Sequence, residues 1–343
     1  MKKAYIVLED GMVFEGTRFG AESDACGELV LSTGVRSYTE LLTDPMNTGK
    51  IILSVFPEGG VFGVIPEDFE GESAASGFIV RSHCNAPGSF RSREELDTFM
   101  LFHGIAGICD VNTRALSRYV RAHGTARAGI FSVVPPVFPA QEKVAEELSA
   151  QDFATYAASS EVGEKYFVAL IDYGTKASVV NALRTHGCKV RIVPADTSAK
   201  DIFSLCPDGV VISGGADAIA RSADLSVIKE ILGKVPVMGI SLGHLLLARA
   251  QGASLINLPS PLENDSFPVR DLENDRVYIA WRESAYAVET GAAVGEVLFE
   301  NADTGVCEGI CYAEKLAFSV QFCPKCDTEF IYDKFIDMMK GRG

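Results

Sequence analysis

The five residues Gly239-Ile240-Ser241-Leu242-Gly243 read G-x-S-x-G, the pattern of a serine nucleophile held on a sharp strand-to-helix turn. The chemistry would be attack of the Ser241 hydroxyl on an acyl carbon, which needs a base to take the proton. The chain has five histidines, His83, His103, His123, His186 and His244. In hydrolases built around this turn the base follows the serine in sequence, and only His244 does. It stands three residues on, inside the helix that the turn opens, where reaching back to Ser241 is disfavoured. The same residues also satisfy a plainer requirement, a tight turn that needs small side chains. Both readings stay open on the motif alone.

Two other groups could do chemistry. Cys307, Cys311, Cys323 and Cys326 gather late in the chain as C-x3-C and C-x2-C. Four thiolates could hold zinc, and C-x-x-C could cycle redox. Cys307 and Cys311, four apart in a predicted strand, are expected on one face. The spacing departs from the usual zinc ribbons, so ordinary buried thiols are the competing reading. Arg114, Arg118 and Arg121 share one face of a predicted helix. They could grip an acidic partner or form a solvated basic face.

The elements that must position these groups fall into two regions. Residues 1–131 are rich in short β-like runs. In "AYIVLEDGMVFEG" two strands flank Asp10-Gly11, a hairpin signal, and "GELVLSTG" and "GKIILSVF" are further strands. The run "EELDTFM" (94–100) ahead of "LFHGIAGICDVNTR" predicts a helix before a strand. "NTRALSRYVRAHG" predicts an amphipathic helix, with Asn112 or Thr113 as cap, Leu116, Tyr119 and Val120 as the apolar stripe and Gly124 as the stop. Residues 132–165 carry early prolines and then a polar stretch, which predicts a connection containing one short helix. From 166 to 343 strands and helices alternate: "YFVALIDYG", "CKVRIVPAD", "GVVISGG" and "VPVMGIS" are strands with helical runs between them. That order predicts a parallel sheet flanked by helices. Ligands of such sheets bind beyond the carboxyl ends of the strands, where Ser213-Gly214-Gly215 and Ser241 fall. Residues 267–322 return to short strands, and 328–340 predict a closing helix.

Bulk composition narrows the function. The 343 residues are 47% hydrophobic and 22% charged, a globular mixture for one large domain or two ordinary ones. A formal net charge of -15 argues against nucleic acid and anionic membrane as partners. The first residues, "MKKAYIVLEDG", carry too few apolar positions for a signal peptide. No apolar run approaches the roughly 18 residues of a membrane span. Nine scattered cysteines without a secretion signal fit free thiols in a reducing cytoplasm.

These residues carry a family resemblance. "GELVLSTGVRSYTELLTDP" (27–45) and "CDVNTRALSRYVRAHG" (109–124) resemble the N-terminal domain of carbamoyl-phosphate synthase small subunits. Residues 168–215 and "VPVMGISLGHLLLARAQGA" (235–253) resemble their class I glutamine amidotransferase domain. The likeness runs nearly end to end and in order. It implies a β-rich N-terminal domain (1–131), a linker (132–165) and an amidotransferase-like domain with a mixed or parallel sheet (166–343). It also implies a glutaminase that delivers ammonia to a large partner subunit. ATP and magnesium would act only through that partner, with no cofactor or metal in this chain.

At the site itself the chain departs from the family pattern. The resemblance implies a cysteine nucleophile in G-x-C-x-G-H-Q, where this chain has Ser241, and a glutamine where it has Leu245. It implies histidine and glutamate in a late H-P-E, where "FSVQFCPKC" places Cys323 and Lys325. "SPLENDSFPV" (260–269) stands for the Gly/His-rich "GHxGGNHPV", Glu283 to Tyr286 for "NHGF", and Ser213 to Asp217 for "SNGPGDP". Gly215 and Leu242 still match glutamine-contacting positions, and Tyr286 marks the altered pocket. The expectation is a binding subunit that has lost its own glutaminase and supports a synthetase using free ammonia. One alternative is a working amidohydrolase in which Cys323 or Lys325 serves Ser241 as a recruited base, and another is a thiol-metal module on the same fold.

Overall fold

The computed structural model describes residues 2–33, 38–72, 75–123, 126–139, 164–216, 219–258, 265–282, 284–289 and 294–341. The expected short helix of the 132–165 connection and the Gly124 helix stop fall outside the described residues. The chain forms two compact units, the first with the described residues up to Pro139 and the second with those from Glu164 onward.

In the first unit the elements are β1 (Lys3–Leu8), β2 (Val13–Gly20), β3 (Ala25–Ser32), α1 (Tyr38–Thr43), β4 (Ile51–Ser54), β5 (Glu58–Gly59), β6 (Gly77–Ile79), β7 (Ser82–His83), α2 (Leu96–Phe102), β8 (Ala106–Cys109), α3 (Thr113–His123) and β9 (Ala126–Phe131). Seven strands close a barrel in the order β1-β2-β8-β6-β4-β3-β9, with β9 pairing back onto β1. Alternation selects its two faces. Ala4, Ile6 and Leu8 of β1 point into a core with Leu29, Leu31, Ile51, Leu53, Ile108 and Ile130, and Leu116 and Val120 of α3 join it. The opposite face buries Val30, Ile52 and Phe78 against Leu41 and Leu42 of α1 and Phe99 and Met100 of α2. The hairpin forms around Asp10, whose carboxylate accepts from Met12 N. Asn112 caps α3 by accepting from Ala115 N (3.1 Å). Arg114, Arg118 and Arg121 are all exposed on α3.

The second unit contains β10 (Tyr166–Tyr173), α4 (Ala177–Thr185), β11 (Cys188–Pro194), α5 (Ala199–Ser204), β12 (Gly209–Gly215), α6 (Ile219–Ser222), α7 (Ser226–Ile231), β13 (Val237–Ile240), α8 (Leu242–Ala250), β14 (Leu255–Asn257), β15 (Asp265–Asp271), β16 (Arg276–Arg282), β17 (Tyr286–Val288), β18 (Glu296–Asn301), β19 (Cys307–Tyr312), β20 (Ala317–Val320) and α9 (Phe330–Lys340). Nine strands form one mixed sheet, ordered β11-β10-β12-β13-β20-β19-β18-β15-β16. The pairs from β11 to β20 are parallel, and those from β20 to β16 are antiparallel. The parallel strands read as continuous apolar runs because helices cover both faces. One face packs Ile212, Val237 and Ile310 under α5, α7 and α8; the other packs Leu170, Val211 and Phe318 under α4 and α9. No helix among the described residues is long and apolar enough to cross a membrane.

One expectation about the cysteines is overturned here. Opposite β18, the β19 register slips between Phe299↔Gly309 and Glu300↔Cys307, so one extra residue bulges from β19. A single inserted residue reverses the side-chain parity. Cys307 therefore joins Ile310 and Tyr312 on the α8 face, while Cys311 packs on the α9 face. The two thiols do not share a face. Among the described residues no three His, Cys, Asp or Glu groups are arranged to hold a metal ion, and all nine cysteines are unbridged.

Candidate active site at the carboxyl edge of the sheet

Ser241 sits where the sequence motif puts it, between β13 and α8. Its backbone has φ 53° and ψ −110°, a region in which a non-glycine residue stores about 1–3 kcal/mol of strain. The neighbours enforce this turn. A Cβ on Gly243 would fall 2.3 Å from Ile212 O, and one on Gly239 would fall 2.7 Å from Gly243 O. Both positions must be glycine for helix and strand to approach so closely. Ser241 N donates to Val320 O on the adjacent strand (2.9 Å). Ser241 O accepts from His244 N (3.0 Å), the first turn of α8. The residue is 8% exposed.

The glycines after β12 face this serine. A Cβ built on Gly214 would lie 3.6 Å from Ser241 Cβ and 3.9 Å from its Oγ, which is ordinary contact. One on Gly215 would strike Tyr173 O at 2.1 Å and Leu242 Cδ2 at 2.8 Å. Ser213 pins the loop by accepting from Tyr173 N (2.8 Å) and donating to Gly214 O (2.7 Å). The structure thus brings Gly214, Gly215, Ser241 and Leu242 together. Asp217 lies outside the described residues.

Neither histidine of this unit hydrogen-bonds this hydroxyl. His244 is fully buried, and its Nδ1 lies 2.8 Å from Ser319 Oγ inside the sheet. Its Nε2 has no hydrogen-bond partner among the described residues. Burial drives its pKa down to about 3, so the ring is neutral. His186, the other histidine of this unit, sits at the end of α4 with Nδ1 2.8 Å from Ala182 O.

Cys323 and Lys325 follow the carboxyl end of β20, the strand beside β13. Pairing sets Ile240 opposite Val320, so Cys323 begins three residues beyond the level of the elbow's last strand residue. Its N donates to Trp281 O (3.1 Å). Its side chain is buried in the apolar cluster with Ile240, Phe322, Ile331 and Phe335. Lys325 is half-buried and opens a short turn: its N donates to Thr328 Oγ1 (3.0 Å), and that hydroxyl donates back to Lys325 O (2.9 Å).

Tyr286 lies in a separate two-stranded ribbon, opposite Asn257. The Arg221 guanidinium stands 4.8 Å from its ring centroid and donates to Asn257 Oδ1 (2.8 Å). One face of Tyr286 is therefore already covered by a cation. Ser284 Oγ accepts from Tyr286 N (3.1 Å), and Glu283 lies outside the described residues, as do residues 259–264 of the altered Gly/His-rich stretch.

Sequence reasoning missed one constellation beside the elbow. Glu308 on β19 is wholly buried and ion-paired with Arg282 at the end of β16. Burial pushes its carboxyl up to about 7, and the pull of Arg282 in the other direction is the weaker effect. Gln321, also wholly buried, donates from its N to Glu308 O (2.8 Å). Charged and amide residues in strands read as solvent-facing, so their types gave no signal of this burial.

Comparison with known proteins follows these two units. Residues 6–130 match the family described as carbamoyl-phosphate synthase small chain, CPSase domain, and residues 169–332 match glutamine amidotransferase class-I. The carbamoyl phosphate synthase small chain of Staphylococcus epidermidis is 34% identical over 99% of this chain and 97% of its own length. That of Clostridium perfringens is 35% identical over 97% of this chain and 99% of its own. A crystal structure of a glutamine amidotransferase from Thermotoga maritima superposes with a TM-score of 0.40 at 16% identity, covering 52% of this chain and 85% of the other. With both domain families matched in order and full-length relatives above 30% identity, the chain belongs to the carbamoyl-phosphate synthase small-chain family.

Proposed function

We propose that this chain acts as a small chain that supports a large carbamoyl-phosphate synthase chain and no longer hydrolyses glutamine itself. The large chain would then use free ammonia. ATP and magnesium would bind only there, with no cofactor or metal in this chain. One observation carries the reading: Ser241 holds a nucleophile's position, while the two histidines of its unit are engaged elsewhere, His244 with Ser319 and His186 with Ala182. The positions matching the family's histidine and glutamate hold Cys323, buried among apolar side chains, and Lys325. The neutral His244 is engaged with Ser319. Loss of a general base alone costs on the order of 10²–10⁴ in rate, and a serine hydroxyl without one is a poor nucleophile. The likeness to proteins named as small chains supports the choice of partner.

The test is glutamate release from glutamine by the full chain, alone and mixed with a large chain, beside ammonia-dependent carbamoyl phosphate formation. The reading expects no glutaminase above background and ammonia-dependent synthesis by the mixture. Glutamine turnover near 1 s⁻¹, within the ordinary enzyme range of about 1–10³ s⁻¹, would refute it. Ser241→Cys should not restore hydrolysis, because the base is still missing.

The strained Ser241 backbone favours a second reading, a serine nucleophile with Lys325 recruited as base. Labelling of Ser241 by a fluorophosphonate, abolished by Lys325→Met, would establish that reading in place of the first.

A further inference from the structure

Four polar atoms beside the elbow have no hydrogen-bond partner among the described residues. Gln321 leaves Nε2 and Oε1, Glu308 leaves Oε2 and His244 leaves Nε2. All three side chains are 0% exposed. Their placement follows from strand register. Gln321 N donates to Glu308 O (2.8 Å), and the pairs Gly309↔Val320 and Ile310↔Ser319 set Glu308 opposite Gln321 on the face that carries Ser319. Opposed residues of an antiparallel pair hold their Cβ atoms about 4.5–5.5 Å apart. His244 reaches the same face from α8, with Nδ1 on Ser319 Oγ. Val320, which anchors Ser241 N, is the residue before Gln321.

Buried polar groups in native proteins are almost always satisfied, by protein or by ordered solvent. The orphaned atoms of Gln321 and Glu308, opposed across one strand pair, therefore call for an occupant, and their chemistry selects it. Gln321 Nε2 needs an acceptor and Gln321 Oε1 a donor, while Glu308 Oε2 accepts when ionised and donates when protonated. The occupant must donate and accept at once. It carries no net charge, because Glu308 Oε1 already pairs with Arg282. It must also be small, since the side chains around it are sealed from solvent. Water meets all three conditions and typically makes about three bonds in such sites. We propose that Gln321, Glu308 and His244 enclose an internal water site beside the Ser241 elbow, with at least one water bridging the Gln321 amide to the unpaired oxygen of Glu308.

A crystal structure of the full chain at about 1.5 Å, a resolution at which ordered waters are visible, tests this directly. Density for a water within hydrogen-bond distance of Gln321 and of Glu308 Oε2 is the expected result. A dry seam in which the Gln321 amide turns directly onto Glu308 Oε2 overturns the proposal, as does density for an ion or a larger molecule. Oxygen-17 magnetic relaxation dispersion supplies a solution readout. The wild-type chain should show at least one more long-lived internal water than Gln321→Met, which keeps the length of the side chain and removes its polar atoms. An equal count in the two proteins overturns the proposal. If Gln321→Met fails to fold, the wild-type density decides alone.

Discussion

The buried Glu308 makes an opposed pair of effects measurable. Desolvation pushes its carboxyl from 4.5 to about 7, while the charge of Arg282 and its hydrogen bond pull the other way. Desolvation wins. The sign of the consequence follows from proton binding in the two states. Below pH 4.5 Glu308 is protonated folded and unfolded, and it costs nothing. Between 4.5 and 7 the unfolded chain releases the proton and the folded chain keeps it, so stability falls as pH rises. Above pH 7 the loss is complete. With one pKa unit equal to about 1.36 kcal/mol, the loss between pH 5 and pH 8 is about 2.5 kcal/mol. The perturbation is Glu308→Gln, which retains a hydrogen-bonding partner for Arg282 and removes the titration. The assay is urea unfolding followed by fluorescence of Trp281, the chain's one tryptophan, which precedes Arg282 within the same unit. The difference in stability between wild type and variant should shift by about 2.5 kcal/mol against the wild type from pH 5 to pH 8. A constant offset does not matter, because only the slope reports Glu308. A flat difference, or one in which the wild type gains on the variant as pH rises, would show that Arg282 dominates and would refute the reasoning.

His244 should give the opposite slope. Burial depresses its pKa from 6.5 to about 3, so its contribution is present above pH 6.5 and is lost as pH falls toward 3. Against His244→Gln, the wild type should gain about 2 kcal/mol from pH 5 to pH 7 by the same unfolding assay. Ser241→Gly should stabilise the fold by about 0.5–2 kcal/mol, since relief of the positive φ outweighs glycine's entropic cost; a destabilised variant would contradict the strain. Gly243→Ala should cost about 2 kcal/mol or more, because its Cβ would lie 2.3 Å from Ile212 O; thermal unfolding with no loss would show that the elbow can open without penalty.

Much of the scaffold was legible because local and tertiary signals agreed. The β1 alternation, the Asp10 hairpin and the Asn112 cap all specify what the barrel unit uses. The alternating apolar runs from 166 onward specify the parallel strands. The elbow was legible too, since a side chain at Gly243 would strike Ile212 and one at Gly239 would strike Leu247 and the Gly243 backbone. The place of His244 in α8 disfavoured it as the serine's base, and in the structure its Nδ1 lies 2.8 Å from Ser319 Oγ. What could not be read was the bulge at Glu308. One inserted residue leaves the residue pattern looking regular and yet reverses which face receives Cys307, so the expected thiol pair separated. The buried Arg282–Glu308 pair was hidden for a related reason: the end of β16 meets β19 only through long-range folding, and charged residues in strands otherwise read as exposed.

The same distinction bears on why a serine occupies a strained backbone where, in the reading proposed above, it has no base. The turn at Ser241 is dictated by how closely α8 approaches β12 and β13, through Gly239, Gly243 and Ile212. Those contacts belong to the core of the unit, where Leu245, Leu246 and Leu247 of α8 pack on Ile212 and Val237. Relaxing the turn would require moving the helix and opening that core, which costs more than the strain at one residue. In the reading proposed above, the position of the family's base falls at Cys323, on the segment after β20, and a substitution there changes the chemistry without moving α8. A chain can therefore lose its general base and retain a nucleophile's geometry, because packing holds the elbow whether or not the site turns over.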